Sequence, residues 1–165
     1  MNHAPRKTPR PLKGSLPIAL LRARESVMSR FRPLLAARGF TEQQWRVLRV
    51  LDEFGPLDPS EIAERSVIMP PSMTRILKTL EDKGMVVRTQ HPHDRRRYII
   101  DLTEVSRRAI SAATPASNQV YAEIEALYGR EKLEQLLDLL EELARSVGDP
   151  TLQDLTQKLA PGESD

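Results

Sequence analysis

Residues 69–103 read MPPSMTRILKTLEDKGMVVRTQHPHDRRRYIIDLT, and the fold turns on this stretch. Pro70 and Pro71 suit the first turn of a helix, where an N–H has no partner to lose, and Gly84 after Lys83 supplies a left-handed stop. At 100° per residue Met73, Ile76, Leu77 and Leu80 cluster on one stripe, while Ser72, Thr74, Arg75 and Lys78 point away from it. The helix therefore has an apolar side to bury and a small, polar and basic side free to touch something. Beyond the glycine, residues 85–90 and 97–102 are short β-like runs, the second with Tyr98, Ile100 and Leu102 on one face. His91-Pro-His-Asp-Arg-Arg96 separates them, which predicts a hairpin with a basic tip.

Working upstream, Thr41-Glu-Gln-Gln44 has the spacing of a capping box and opens a helix to Phe54 that Gly55-Pro56 closes. Asp58-Pro-Ser-Glu61 repeats the device and starts a short helix to Ser66. Three short helices followed by a basic hairpin make a winged helix-turn-helix over residues 41–103. Such a unit suits double-stranded DNA: a helix fits the major groove, where polar side chains meet base edges, and the hairpin reaches phosphates or the adjacent minor groove. The base-facing candidates are Pro71, Ser72, Thr74, Arg75 and Lys78. Asp82, two turns on along the same face, should keep the far end of the helix off the phosphates.

On either side the chain is helical. Ser15 can cap and Pro17 suits the first turn of a helix running to Ala37, bent by Pro33 and stopped by Gly39. Residues 15–40 are thus an N-terminal helix for dimerisation or effector binding. Residues 1–14, with Pro5, Pro9 and Pro11 among Arg6, Lys7, Arg10 and Lys13, read as a flexible basic arm. Downstream, Thr103 caps a long helix through the 120s, residues 131–144 carry Leu133, Leu136, Leu137, Leu140 and Leu143 at helical spacing, and residues 150–160 add one more short helix. Residues 104–160 would then be C-terminal dimerisation helices, since long leucine seams are best buried against a second copy. The fold class is mostly α with a small β-hairpin wing, a winged helix-turn-helix with a helical dimerisation region.

Composition agrees and removes several classes of function. The chain has 165 residues, about one domain's worth, with 4% aromatics and no Cys, so thiolate metal sites, disulfides and thiol catalysis are excluded. No apolar run approaches the ~20 residues of a membrane span, and no apolar segment follows the basic N-terminus as in a secretory signal; a cytoplasmic protein with no membrane partner is expected. The formal net charge of +2 is uninformative, but its distribution is not. Residues 65–97 carry eight bases against the acids Glu81, Asp82 and Asp94, whereas residues 123–145 are acidic. A polyanion would be drawn to the middle of the chain and repelled by its end. No Gly-rich phosphate loop, nucleophile elbow or HExxH stretch is present. His91 and His93 flank Pro92 with no third ligand nearby. No metal, no cofactor and no enzyme activity are expected.

One charge sits in an awkward place. On the helical wheel of the first helix, Leu16, Leu20, Leu21, Val27, Met28, Phe31, Leu34 and Leu35 fill one stripe, and Arg24 falls inside it. A buried guanidinium requires a carboxylate, backbone carbonyls or an outside anion. In the second helix Val47, Leu48, Val50, Leu51 and Phe54 form the core side, while Trp45, Arg46 and Arg49 lie together on the other. The chain's one Trp is thus off its own helix's core face and should pack on another element.

Met69-Pro-Pro-Ser-Met-Thr-Arg75, Leu80-Glu-Asp-Lys-Gly84, Asp94-Arg-Arg96 and Leu102-Thr103 together resemble the recognition helix and wing of MarR-family transcription regulators. Ser15-Leu-Pro-Ile-Ala-Leu-Leu-Arg-Ala-Arg-Glu25 and Thr41-Glu-Gln-Gln-Trp-Arg46 further resemble the HpaR-like branch, repressors of aromatic-acid degradation operons such as that for homoprotocatechuate. The likeness covers about residues 15–145. It implies a homodimer on a pseudo-palindromic DNA operator, released by a small aromatic carboxylic acid. It further implies that Arg95 or Arg96 enters the minor groove and that Asp94 orients an arginine. Met69 stands where the family often has a capping Ser, and His91 where an Asp commonly opens the wing. With that resemblance in view, Arg22, Arg24 and Arg46 beside Trp45 read as an anion pocket for an aromatic acid; an internal ion pair with an interface Trp is the other reading. A different class of function, a helical interaction module whose basic segment binds an acidic protein, differs in showing no sequence preference among DNA duplexes.

Overall fold

Among the described residues of the computed structural model, six helices and one hairpin follow each other: α1 (Leu16–Ala36), α2 (Glu42–Phe54), α3 (Pro59–Ser66), α4 (Pro70–Asp82), β1 (Val86–His91), β2 (Asp94–Leu102), α5 (Glu104–Tyr128) and α6 (Arg130–Val147). The structure describes residue 12 and residues 14–91 and 94–148, without the side chains of Arg95 and Arg96. The expected basic arm (1–14) and the short helix at 150–160 lie, but for Leu12 and Gly14, outside the described residues. The chain divides into two compact units after Val120, within α5.

The first unit is built from local signals that fired where they were expected. The Thr41 hydroxyl accepts from the Gln44 N–H at 3.1 Å, and the Gln44 side chain accepts from the Thr41 N–H at 3.2 Å, so both halves of the α2 capping box form. Asp58 does the same for α3, accepting from the N–H groups of Ser60 and Glu61 while the Glu61 carboxylate accepts from the Asp58 N–H. One helix start differs from expectation: Ser15 occupies the α1 cap position without a side-chain cap bond. Met69, whose side chain has no oxygen to offer, gives α4 none either; both helices carry Pro in the first turn, which already lacks an N–H to be capped.

The core lies between α2, α3, α4 and the base of the hairpin. Val47, Leu48, Leu51, Ile62, Met73, Leu77, Leu80 and Ile100 are buried there, which seats the apolar stripe of α4 and leaves its other side outward. The β1 and β2 strands pair antiparallel with Val86 opposite Leu102 and Arg88 opposite Ile100. Leu57 adds a third, one-residue strand: its N–H donates to the Ile100 carbonyl at 3.1 Å, and the Ile100 N–H donates back at 2.8 Å. A single residue between Gly55-Pro56 and Asp58 is too short to show a period. At the strand's end the Thr103 hydroxyl donates to the Gly84 carbonyl at 2.7 Å, tying the start of α5 to the end of α4.

Where the hairpin begins is also corrected. Asp94, Arg95 and Arg96, expected in a loop at the tip, open β2 instead, and Asp94 pairs with His91 across an irregularity after Gln90. Charged side chains carry no alternating pattern, but strand pairing is a backbone affair and continues through them.

The second unit takes in the end of α5, then α6. Gly129 breaks the helix at φ +97° between them, and Arg130 pairs with Glu125 at 2.7 Å across that break. No residue of α6 is buried, and Leu137 and Leu139 of its leucine-rich sequence are exposed. Among the described residues no helix is long and apolar enough to cross a membrane, and no cluster of three His, Asp or Glu side chains could hold a metal ion.

Candidate nucleic-acid interface and effector site

The outward side of α4 carries the residues the sequence places there: Pro71, Thr74, Arg75 and Lys78 are exposed and Ser72 is half-buried. Their charges are not equally available. The Lys78 ammonium lies 2.6 Å from the Asp82 carboxylate one turn on, and that partner raises the Lys78 pKa above its ordinary value. The side chain of Arg75, by contrast, has no hydrogen bond or ion pair among the described residues.

The hairpin is braced to the helices by arginines that would otherwise read as phosphate contacts. Arg88 of β1 donates from Nε and Nη2 to both carboxylate oxygens of Glu81 in α4, at 3.0 and 3.1 Å, and stacks 4.1 Å above the Tyr98 ring of β2. This fork-on-fork pair fixes both distance and plane. Arg97 of β2 reaches Asp58, the N-cap of α3. The Asp58 carboxyl is held below its usual range, first by the Glu61 N–H and then by the Arg97 guanidinium, which together outweigh its burial. Arg65 stacks 4.4 Å above Phe54, and Lys83 donates to the Gly39 carbonyl at 3.0 Å. The cationic segment is thus largely spent inside the fold. Of its six bases with described side chains, Arg75 alone has no internal partner among the described residues. Sequence reading missed both braces, because partners as far apart as Asp58 and Arg97 leave no local spacing to find.

The expected effector residues fall into three situations. Arg24 is not buried: its side chain is 46% exposed, and its Nη1 and Nη2 donate to Glu25 at 2.8 Å and Glu42 at 2.5 Å. Arg32 donates to the same two carboxylates at 2.6 and 2.5 Å, closing a ring of two guanidiniums and two carboxylates that joins α1 to the first residue of α2. Burial pushes the Glu42 pKa up, but its two guanidiniums prevail and hold it below the ordinary value. The apolar stripe around Arg24 is itself exposed in the single chain, at Leu16, Leu20, Leu21 and Val27, which is why the guanidinium is not entombed. Arg46 donates from Nη1 to the Ser66 carbonyl at 2.9 Å and to that of Val67 at 3.5 Å, so it finishes the C-terminus of α3 rather than standing free. Arg22 is exposed and has no ion pair among the described residues. Trp45 is half-buried against the core, its ring 5.7 Å from that of Phe40 in the turn that leads into α2.

Three short helices with the third presented outward, braced to an antiparallel wing, define a winged-helix DNA-binding protein. The family model for MarR matches residues 40–98, which span α2 through most of the wing. The homoprotocatechuate degradative operon repressor of Escherichia coli is 38% identical over 154 residues, 93% of this chain and 100% of the relative. The chain therefore belongs to the MarR family. Among solved structures, NadR in complex with 4-hydroxyphenylacetate superposes with a TM-score of 0.72 at 39% identity, covering 86% of this chain and 98% of that one. The repressor CouR bound to a 23-mer DNA duplex gives 0.74 at 32% identity, with 81% and 94% covered.

Proposed function

We propose that this chain is a homodimeric repressor of an aromatic-compound degradation operon, held on a pseudo-palindromic operator and released by a small aromatic carboxylic acid. The observation that carries the reading is the outward face of α4, where Arg75 stands unpaired above a core that fixes the helix against a braced wing. Pro71, Ser72, Thr74, Arg75 and Lys78 then meet the major groove, while Asp94, Arg95 and Arg96 at the start of β2 meet phosphates or the minor groove. The likeness over nearly the whole chain to the Escherichia coli repressor, and to NadR with its phenolic acid, supports the choice of operon and effector class.

In this reading residues 15–40 supply a dimerisation and effector helix, residues 41–103 the DNA-binding domain, and residues 104–160 further dimerisation helices. Arg24, with Arg22 nearby on α1, supplies the charge for the carboxylate, and Trp45 supplies an aromatic wall. Arg46 positions the end of α3 with a guanidinium already engaged by backbone. The protein acts in the cytoplasm, without catalysis or a cofactor. Half-sites lie about 34 Å apart, so a small change in the separation of the two α4 helices costs operator affinity.

The test is a thermal-shift screen with hydroxyphenylacetates and hydroxycinnamates, paired with fluorescence anisotropy on a duplex from the chain's own promoter. A hit should raise the melting temperature and release the DNA, and Arg24→Ala should lose that release. Complexes indifferent to every acid would overturn the effector reading, and equal affinity for all duplexes would overturn the repressor reading.

A further inference from the structure

The first turn of α4 has no free backbone donor to offer a nucleic acid. Of residues 70–73, Pro70 and Pro71 have no N–H, and the N–H groups of Ser72 and Met73 both donate to the Met69 carbonyl, at 3.0 and 3.1 Å. A helix N-terminus usually grips phosphate or base acceptors through these groups; here none of the four is available. What the turn presents instead is hydrocarbon. Met69 is 73% exposed and Val67 83%, and Pro70 and Pro71 are exposed beside them. Adjacent apolar side chains this open at the leading end of the outward-facing helix form an apolar patch suited to a partner surface of its own kind.

The major groove has one apolar group, the C5-methyl of thymine. We propose that Met69 and Pro71 read thymine methyls in each half-site, so that specificity at the leading end of α4 is apolar, and that polar readout begins one turn later at Thr74 and Arg75. The occupant follows from continuity: the apolar turn runs directly into the exposed polar face that carries Arg75, and a shallow groove of ≈ 630 Å3 between α3 and α4, lined by Ala63, Val67, Met69 and Met73, lies behind it. The proposal rests on the DNA-binding reading and deepens it. The conformation favours it as well. Val67 holds φ +51°, the one non-glycine residue with positive φ among those described, and this left-handed turn carries its side chain into solvent rather than back into the core.

The experiment uses the full chain and a duplex that it selects from a random 24-bp library, with each thymine replaced in turn by uracil, which lacks only the methyl. At one symmetric pair of positions the wild type should lose about fourfold in affinity per methyl, the factor that burying one methyl-sized group gives. In Met69→Ala or Pro71→Ala that loss should shrink to near unity at the same positions, because the partner is gone. The Met69 side chain is exposed, so Met69→Ala should keep the wild-type melting temperature, whereas Pro71→Ala should lower it by a few degrees through the lost rigidity of the ring without unfolding the chain. No sensitive thymine, or equal sensitivity in wild type and both variants, would overturn the methyl readout while leaving DNA binding intact. Failure to select any sequence would remove the DNA-binding reading itself, and this inference with it.

Discussion

Asp82→Asn should strengthen DNA binding, although it removes a salt bridge from the DNA-facing helix. Lys78 and Asp82 lie 2.6 Å apart with side chains 71% and 60% exposed, so the ammonium is answered within the chain before any phosphate arrives. The pair contributes little to the fold: it is exposed to screening, and its acid sits in the last turn of α4, where the helix dipole disfavours a carboxylate. Losing the acid frees one cation and removes one repulsive charge from the same face. Each phosphate neutralised steepens the slope of log affinity against log salt by about 0.9, which at about 0.15 M salt amounts to roughly fivefold tighter binding. Lys78→Ala, in contrast, should weaken binding less than Arg75→Ala, because its charge was already spent. The assay is anisotropy on one operator duplex and one scrambled duplex from about 50 mM to about 200 mM salt. Asp82→Asn should gain on both duplexes alike, since a phosphate contact carries no sequence information. An unchanged affinity and slope, or weaker binding, would refute the idea that the pair withholds a contact.

Arg75→Ala should cost about 1–3 kcal/mol on the operator and little on scrambled DNA, since its guanidinium has no other task; equal losses on both would make it a phosphate contact instead. Asp58→Ala removes both the α3 cap and the anchor of Arg97 and should lower stability by about 2 kcal/mol, whereas Asp58→Asn keeps a cap acceptor and should lose about half as much, read from urea midpoints. The same carboxyl sets an acid limit. Its folded pKa lies below the unfolded value of about 3.9, so the stability it lends is complete above that pH and disappears as the pH falls through the depressed value. In Asp58→Asn the acid limb of the stability curve should therefore flatten. Arg46→Ala strands the carbonyl of the buried Ser66 and should cost about 1–3 kcal/mol in melting experiments with or without an aromatic acid; a variant of full stability would return Arg46 to the pool of free effector contacts.

What the sequence could reveal and what it could not divides by distance along the chain. The capping boxes at Thr41 and Asp58, the glycine stop at Gly84 and the seated stripe Met73, Ile76, Leu77 and Leu80 all rest on groups within one or two turns, and all were legible. Leu57 bridging to Ile100, Arg88 gripping Glu81 and Arg97 reaching Asp58 are fixed only once the chain has folded back, and a charge count over residues 65–97 includes those arginines without showing that they are engaged inside the fold. The exposure of Arg24 is hidden from the sequence for a related reason, although its ion pair is one of the two readings the sequence leaves open. The helical wheel places Arg24 in an apolar stripe correctly, but a wheel shows direction and not cover, and in the single chain the N-terminal part of that stripe, at Leu16, Leu20, Leu21 and Val27, stays open to solvent.

Charge neutrality at the α1–α2 junction bears on what an effector must bring. Arg24 and Arg32 already hold Glu25 and Glu42 at 2.5 to 2.8 Å, and a carboxylate that merely replaces one of those acids exchanges like for like. Such an exchange has almost no free energy to spend on moving a helix, because a ligand shifts an equilibrium only by its difference in affinity for the two states. Under the proposed reading, the difference must come from a part of the ligand for which the resting ring has no equivalent. Glu42 and Trp45 are neighbours on α2, three residues apart, so a carboxylate arriving at the ring would bring an attached aromatic group alongside an indole that is only half-buried. The charge then places the ligand, the apolar group supplies the selectivity, and a simple carboxylate without a ring has nothing with which to move the recognition helices.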